Sequence, residues 1–258
     1  MVIVVTGGTS GIGNAICNYL FSKGNRVYSL ARRDFSDGNI VYLKCDITKK
    51  QEIINCFTEI YEKEKCIDVV INNAGMGISG ALEYHSELEL DKIINVNLKG
   101  TIMISQIAIP YLRESKGKII NIGSVAGELA IPFQTMYSVT KAGVHAFSAA
   151  LQNELRPFGI KVVCLMPGDT KTSFTANREK NETNSFYGSR IEKSITKMEK
   201  DERNGTDPLK VAKVVYKVIK SKNPKTMIAI GANYKMFVFI KKILPIKFVQ
   251  YVLYKIYG

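Results

Sequence analysis

Short apolar runs alternate with amphipathic helical stretches along most of this chain. Seven of these runs are rich in β-branched residues and are predicted as strands, at residues 2–6, 26–30, 40–44, 67–72, 118–123, 161–166 and 226–230. The stretches 2–5 and 69–71 are almost continuously apolar, which is typical of strands buried on both faces of a sheet. The alternation predicts a doubly wound α/β fold, with helices on both faces of a parallel sheet and ligands at the carboxyl ends of the strands.

Two segments break this alternation. Residues 170–207 are too long for an ordinary connection, so we expect them to form a lid over the site. The tail, residues 235–258, is apolar, interrupted by one proline and studded with lysines, and its uncharged runs are far shorter than the roughly 20 residues of a membrane-spanning helix. Because the 258 residues contain no linker-like stretch, we predict one main domain over 1–234, followed by this tail.

A glycine-rich turn follows the first strand and opens the first helix, where the sequence from Thr6 to Gly13 reads TGGTSGIG. Gly7, Gly11 and Gly13 permit a tight turn, close approach of the backbone to a pyrophosphate, and close packing of helix on strand. The free N–H groups at the helix N-terminus suit an anion. The arrangement favours dinucleotide binding, and an ordinary turn is the alternative.

The second strand ends in a basic pair. In dinucleotide-binding folds an acidic residue near this point binds the free 2′-hydroxyl of NAD, but here the sequence is Ala31-Arg32-Arg33. Two guanidinium groups would form charge-assisted bonds with a 2′-phosphate, so NADP(H) is favoured over NAD(H). The alternative is a pair of surface arginines bound to Asp34 or Asp37.

A tyrosine and a lysine form the strongest chemical signal. Tyr137 and Lys141 are four residues apart in a predicted helix that ends near Pro157, so they share one face. A free tyrosine has a pKa of about 10 and is a poor base near neutrality. Because an adjacent ammonium favours the phenolate, we expect Lys141 to lower the pKa of Tyr137 into a useful range. Alone, such a pair is usually a surface coincidence.

The surrounding motifs resemble the short-chain dehydrogenase/reductase family over residues 1–230. The TGxxxGxG turn, Asn-Asn-Ala-Gly at 72–75, a serine thirteen residues before the tyrosine, YxxxK and a Pro-Gly pair occur in the family's order. The resemblance implies a Rossmann-like single catalytic domain of about seven strands. It also implies that Ser124 orients the substrate oxygen and that Tyr137 acts as general acid/base. Lys141 would also bind the nicotinamide ribose, and Asn97 would hold a water in a proton relay.

The resemblance assigns roles to two groups of residues. The catalytic residues are Asn97, Ser124, Tyr137 and Lys141. The cofactor-binding residues are Gly7, Thr9, Ser10, Gly11, Ile12, Gly13, Arg32, Arg33, Asp46, Ile47, Asn73, Ala74, Gly75, Tyr137, Lys141, Pro167, Gly168, Thr170 and Thr172. Among these, Asp46 would contact the adenine amino group. One departure from the family is Gly123, where many relatives carry a second serine.

The substrate pocket is expected to be largely apolar. Its expected lining is Met76, Gly77, Ile78, residues 129–133 from Leu129 to Phe133, Phe174, Phe186 and Tyr187. Such a lining suits a hydrophobic ketone or aldehyde or the corresponding alcohol, although core packing explains any one of these residues equally well. Of the two histidines, His85 is expected in a solvent-exposed loop and His145 in packing or an interface.

Basic charge is concentrated at the C-terminal end. The chain has a formal net charge of +13, and residues 190–258 hold sixteen Lys or Arg against five Asp or Glu, so only +2 remains for residues 1–189. We favour a solvated lysine-rich face over an anionic partner. The tail is expected to pack on its own protein or on a second subunit, and an anionic bilayer surface is the alternative. No nucleic-acid-binding module is recognised.

Cysteine usage and the N-terminus indicate the compartment. The five cysteines show no CxxC or metal-ligand spacing, so we expect reduced thiols and no metal. The N-terminal strand lacks the features of a signal peptide, so we expect a cytoplasmic protein, with peripheral membrane contact through the tail as an option. The family resemblance implies a homodimer or homotetramer through the helices that carry Asn97 and Tyr137.

The sequence thus predicts an NADP(H)-dependent oxidoreductase that transfers hydride between nicotinamide and a hydrophobic ketone, aldehyde or alcohol, with Tyr137 as general acid/base. The alternative is a regulatory protein of the same fold that senses the nucleotide without turnover. Presence of all four catalytic residues argues against that alternative, because sensing needs only the cofactor-binding residues.

Overall fold

The computed structural model of the protein describes residues 1–36, 38–180 and 185–258. Its strands are β1 (Val2–Thr6), β2 (Arg26–Ala31), β3 (Val41–Lys44), β4 (Val69–Asn72), β5 (Ile78–Ser79), β6 (Lys118–Ile122), β7 (Lys161–Pro167), β8 (Glu179–Lys180) and β9 (Met227–Ile230). Seven of them form one parallel sheet in the order β3-β2-β1-β4-β6-β7-β9. The predicted doubly wound sheet is confirmed, and each strand of that sheet begins and ends within two residues of its predicted bounds.

Helices cover both faces of this sheet. They are α1 (Gly11–Phe21), α2 (Lys50–Glu64), α3 (Glu87–Ile94), α4 (Gly100–Ser115), α5 (Thr135–Leu155), α6 (Arg190–Arg203), α7 (Pro208–Lys220), α8 (Ala232–Lys241) and α9 (Ile246–Tyr257). Buried apolar residues of α2, α4 and α5 pack on one face, and those of α1 and α7 pack on the other. Each strand therefore buries both of its faces, as its continuous apolar character predicts.

The strand order switches sides between β1 and β4, because β2 and β3 lie on one side of β1 and the later strands lie on the other. This switch point opens a cleft at the carboxyl ends of β1 and β4. The amide of Asn73, just after β4, donates to the carbonyl oxygens of Thr6 (3.0 Å) and Gly7 (3.1 Å) at the end of β1. These hydrogen bonds join the glycine turn to the Asn-Asn-Ala-Gly segment, so both motifs lie at one edge of the cleft.

The two irregular segments both lie over this cleft. The ends of the lid meet in a bridge between Thr170 and Thr206, and within it β8 pairs with β5. Residues 181–184 of the lid lie outside the described residues. The tail folds into α8 and α9, and α9 packs on α6 of the lid. In the part of the chain that the structure describes, no helix combines the length and apolar character needed to cross a bilayer.

Candidate active site

A cavity of about 810 Å³ lies at the carboxyl ends of the strands. Among the described residues, every position predicted to hold the dinucleotide lines it, with the exception of Gly13. Of the predicted catalytic residues, Ser124, Tyr137 and Lys141 line it and Asn97 does not. Folding therefore brings positions far apart in the sequence around one space.

The glycine turn forms one end of this cavity. A Cβ on Gly13 would lie 2.2 Å from the carbonyl oxygen of Gly7, so glycine at 13 lets the first turn of α1 lie directly against the turn. Gly7 and Gly11 have φ values of +69° and +54°, which other residues rarely adopt. The N-terminus of α1 is thereby aimed along the cavity wall. This cradle fits a dinucleotide pyrophosphate, which would accept from the backbone N–H groups.

The adenosine end of the cavity is basic. Arg32 and Arg33 are exposed side chains that border it, directly after the small buried Ala31. Asp34 forms an ion pair with Lys44 (3.6 Å), and among the described residues no ion pair joins it to Arg32 or Arg33. Asp37, the other alternative partner, lies outside the described residues.

Asp46 borders the same end of the cavity, and its side chain is in the charged carboxylate form. Burial alone would raise the pKa of its carboxyl, but hydrogen bonds from the Thr48 N–H (2.9 Å) and hydroxyl (2.8 Å) and the charge of Arg32 outweigh burial and lower it. The carboxylate is therefore an acceptor, as contact with an adenine amino group requires.

Three of the predicted catalytic residues meet where β6 ends and α5 begins. Ser124 follows β6, and its hydroxyl is within hydrogen-bonding reach of the Tyr137 phenol. Lys141, one turn along α5, donates from Nζ to the carbonyl oxygen of Ile122 (2.8 Å). That Nζ lies 5.7 Å from the centre of the Tyr137 ring. The shared helix face predicted from the spacing of Tyr137 and Lys141 is present.

The pKa values of this pair differ from the prediction. Burial raises the pKa of Tyr137 to about 12, although the hydrogen bond with Ser124 acts against it. Burial also lowers the pKa of Lys141 to about 8, because the ammonium loses its hydration. Desolvation is the largest effect on this phenol, so the groups of this chain alone do not produce the lowered pKa that was predicted for Tyr137. Tyr137 is a neutral phenol near pH 7 and can donate a proton.

Residues 1–183 match the model of a family described as short chain dehydrogenase. A 3-ketodihydrosphingosine reductase from Bacteroides thetaiotaomicron is 36% identical over 258 residues, which cover 98% of this chain and 96% of that protein. The chain belongs to the short-chain dehydrogenases. It is thus an oxidoreductase that acts on carbonyl or alcohol groups with a nicotinamide dinucleotide.

Solved structures agree with this assignment. A short-chain dehydrogenase from Streptomyces avermitilis superposes with a TM-score of 0.83 at 27% identity, over 92% of this chain and 91% of that one. The structure of ElxO with NADP bound superposes with a TM-score of 0.77 at 25% identity, over 91% of this chain and 98% of that one. Both superpositions extend well beyond residues 1–183.

Asn97 has a different setting from the other predicted catalytic residues of this short-chain dehydrogenase. It lies in one π-helical turn, Asn95–Lys99, between α3 and α4. Its Oδ1 accepts from the N–H of Met76 (2.8 Å), and its Nδ2 donates to the carbonyl oxygen of Met76 (2.9 Å) and to Thr140 (3.2 Å). The side chain therefore fixes the backbone that follows Gly75, and the role of Asn97 in a proton relay stays a prediction.

Several residues at the site were not predicted from the sequence. Asp169 and Glu202 line the cavity, and their negative charges help to raise the pKa of Tyr137. The ring of Tyr234, in α8, lies against Gly168, where a Cβ would be 2.1 Å from it, and its hydroxyl donates to Asp169 (2.5 Å). The position of Asp169 directly after the Pro-Gly pair is a usable signal, but no sequence pattern points to Tyr234.

The expected substrate lining is correct only in part. Met76, Gly77, Leu129, Ile131 and Phe174 border the cavity. The other expected positions are absent from its wall in the described part of the chain: Ile78, Ala130, Pro132, Phe133, Phe186 and Tyr187. Phe133 and Tyr187 pack instead in a small core with Ile191 of α6, and 89% of Phe186 is exposed. Apolar character alone did not separate cavity wall from core.

The two histidines are both enclosed. The side chain of His85 is only 2% exposed, at 4.0 Å from Glu89, so the expectation of a solvent-exposed residue is wrong. His145 lies behind Ser124, with Nδ1 3.4 Å from Oε1 of Glu128. A Cβ on Gly123 would be 2.8 Å from its Nε2. The imidazole thus occupies the space that a second serine would need, which explains the departure from the family at position 123.

Proposed function

We propose that this short-chain dehydrogenase uses NADPH to reduce a long-chain ketone with an amino group beside the carbonyl, such as 3-ketodihydrosphingosine. The observation that carries the proposal is the continuation of the Tyr137 cavity between the apolar inner faces of α8 and α9. The tail that forms this extension is also within the range of full-length similarity to the Bacteroides reductase.

The extension suits an alkyl chain. Most of the tail side chains that line it are apolar, and they include Phe237, Ile240, Leu244, Val249, Leu253 and Ile256. An alkyl chain placed there gains about 0.8 kcal/mol for each methylene removed from water. A short polar substrate would leave this surface uncovered, so the geometry favours a long apolar one.

Carboxylates near Tyr137 suit an ammonium group. Glu202 already accepts from Arg178 and from Thr175 (2.6 Å), so its charge is largely compensated within the lid. Asp169 accepts from the hydroxyl of Tyr234, and burial raises the pKa of its carboxyl. A cation nearby would stabilise the charged carboxylate. Asp169 is therefore our candidate for recognising the amino group beside the carbonyl.

The residues of this chain supply the proton and hold the carbonyl. A reduced nicotinamide supplies the hydride when it is bound. Ser124 donates a hydrogen bond to the carbonyl oxygen, and Tyr137, neutral because burial raises its pKa to about 12, transfers its proton to the same oxygen. Lys141 would bind the nicotinamide ribose from its buried position. A phenol that keeps its proton at pH 7 is in the protonation state that reduction of a carbonyl requires.

The basic pair at the adenosine end supports NADPH as the cofactor. Arg32 and Arg33 border the cavity where the 2′ position of the ribose would lie, and Asp34 has Lys44 as a partner. A 2′-phosphate there would be bound by guanidinium groups, whereas the 2′-hydroxyl of NADH would find no acidic acceptor at Ala31.

The test is a steady-state assay of nicotinamide oxidation with 3-ketodihydrosphingosine in mixed micelles. We expect turnover with NADPH, much slower turnover with NADH, and loss of activity in Tyr137→Phe, which lacks only the phenolic oxygen. The matched control is Tyr84→Phe, which removes a phenolic oxygen from a residue outside the cavity wall and should keep the activity. Equal rates for Tyr137→Phe and the unaltered protein would refute the mechanism, and no turnover of the ketone would refute the substrate.

A further inference from the structure

We propose that the outer face of the tail hairpin, α8 and α9 (residues 232–257), docks on an anionic lipid bilayer, and that substrate enters the cavity between these two helices. The identity of that substrate rests on the proposed function, whereas docking is inferred from the exposed residues of the hairpin alone. The hairpin thus has an inner face toward the cavity and an outer face toward the bilayer.

The outer face exposes many large apolar side chains. Neither α8 nor α9 contains a buried residue, although both are rich in large apolar side chains. Ile243 is 67% exposed and Phe239 is 64% exposed, and Met236, Ile246 and Tyr251 are each more than half exposed. Single exposed apolar residues are ordinary, but a run of them along two adjacent helices marks a binding surface.

The charge of this face identifies the partner. Lys235, Lys242, Lys247 and Lys255 are exposed among the apolar residues. The sequence contains no Asp or Glu after Asp207, so the hairpin has only positive charge. Helices with exposed apolar residues and lysines bind at the interface of bilayers that contain anionic lipids, with the lysines at the headgroups.

A second copy of the chain fits this face poorly. A two-fold interface centred on the hairpin would place the hairpin of one copy against the same hairpin of the other. The four exposed lysines would then face four lysines, with no carboxylate in either hairpin to compensate them. An anionic bilayer removes this repulsion and covers the apolar residues at the same time.

The inner face connects this surface to the chemistry. Side chains of both helices line the cavity that contains Tyr137. Lys241 of α8 donates to Glu128 (3.0 Å), four residues after Ser124, so the hairpin is held at the catalytic end of the cavity. A lipid that passes between α8 and α9 would reach Tyr137 without crossing water.

The test is co-sedimentation of the full-length protein with phosphatidylcholine vesicles and with vesicles that also contain phosphatidylglycerol. We expect binding only to the anionic vesicles, and weaker binding as salt increases. Replacing Lys235, Lys242 and Lys247 together by Gln should weaken this binding on the order of a hundredfold. The estimate follows from a contribution of about tenfold or less for each lysine. Phe239→Gln with Ile243→Gln should weaken it without any change in charge.

The matched control replaces Lys213, Lys217 and Lys220, which are exposed on α7, by Gln. It makes the same change in net charge outside the hairpin and should keep vesicle binding. Thermal unfolding of each variant checks that it is folded. Absence of binding to anionic vesicles would overturn the proposal, as would equal loss in the two lysine variants. The proposal would also be overturned, in favour of a second copy, if the unaltered protein is a dimer that does not bind vesicles and the variant Phe239→Gln with Ile243→Gln is a monomer.

Vesicle binding is measured without turnover, so this result is independent of the proposed function. Binding by a protein that does not reduce the ketone leaves docking in place and refutes only the substrate. Reduction of the ketone in micelles by a protein that does not bind vesicles refutes docking and leaves the function in place.

Discussion

Gly123→Ser would place a second serine beside Ser124, as many relatives have. In this chain its Cβ would lie 2.8 Å from Nε2 of His145 and 2.8 Å from Sγ of Cys164. Neither neighbour has room to move, because the side chain of His145 is only 8% exposed and also lies against Gly127, and Cys164 is fully buried. The new side chain must therefore displace a packed group.

The expected cost follows from that overlap. Forcing extra atoms into a packed interior costs about 1–3 kcal/mol. For a chain of this size each kcal/mol lowers the melting temperature by roughly 2–4 °C, so Gly123→Ser should melt roughly 2–12 °C lower. Because Ser124 is the next residue, we also expect a lower kcat, with the substrate oxygen less well oriented.

The assay is a double-mutant cycle measured by denaturant unfolding. His145→Ala removes the ring that the new Cβ would touch, so Gly123→Ser should cost at least about 1 kcal/mol less in that background. The reasoning is refuted if Gly123→Ser leaves the free energy of unfolding unchanged. It is equally refuted if the substitution costs the same with and without the imidazole, because the contact with His145 would then not be the cause.

Three further predictions follow from the site. Burial lowers the pKa of Lys141 from 10.5 to about 8, so between these pH values the native protein binds fewer protons than the unfolded chain. Lys141 should therefore add about 3 kcal/mol to the free energy of unfolding as pH rises from 8 to 10.5. Denaturant unfolding across this pH range should show a smaller rise in the free energy of unfolding for Lys141→Met than for the unaltered protein. An equal rise in the two proteins would contradict the burial argument. Asp169→Asn should raise KM about tenfold for the amino ketone but not for the same ketone without its amino group, and an equal change for both would exclude Asp169 as the ammonium acceptor. Arg32→Ala should weaken NADPH binding about tenfold or more and leave NADH binding unchanged in a fluorescence titration, and equal effects on both would place the guanidinium away from the 2′-phosphate.

Much of the fold and the cofactor cradle was predictable because local sequence is sufficient for both. Runs of β-branched residues between amphipathic helical stretches indicate the strands, and parallel strands place their carboxyl ends at one edge. Gly7 and Gly11 permit the positive φ values of the turn, and Gly13 leaves room for close packing of α1. The spacing of Tyr137 and Lys141 specifies a shared helix face wherever the helix lies.

The remaining features depend on contacts between distant segments. The pKa of Tyr137 is set by how completely other elements enclose it, and a sequence pattern does not measure enclosure. Tyr234 meets Gly168, and His145 fills the space at Gly123, only after α8 and α5 have packed. Asn97 is assigned to the site by the family resemblance alone, and its hydrogen bonds to Met76 depend on how its π-helical turn packs beside the segment after Gly75.

The sequence by itself determined the sheet, the dinucleotide cradle and the Tyr137–Lys141 pair, because each of these follows from short-range geometry. Only the tertiary structure decided which apolar side chains face the cavity and which face the core, because the same apolar residue types line both. It also decided that the tail has two apolar faces, one on the cavity and one outward. That division depends on where α8 and α9 come to rest against the lid, which no local pattern encodes.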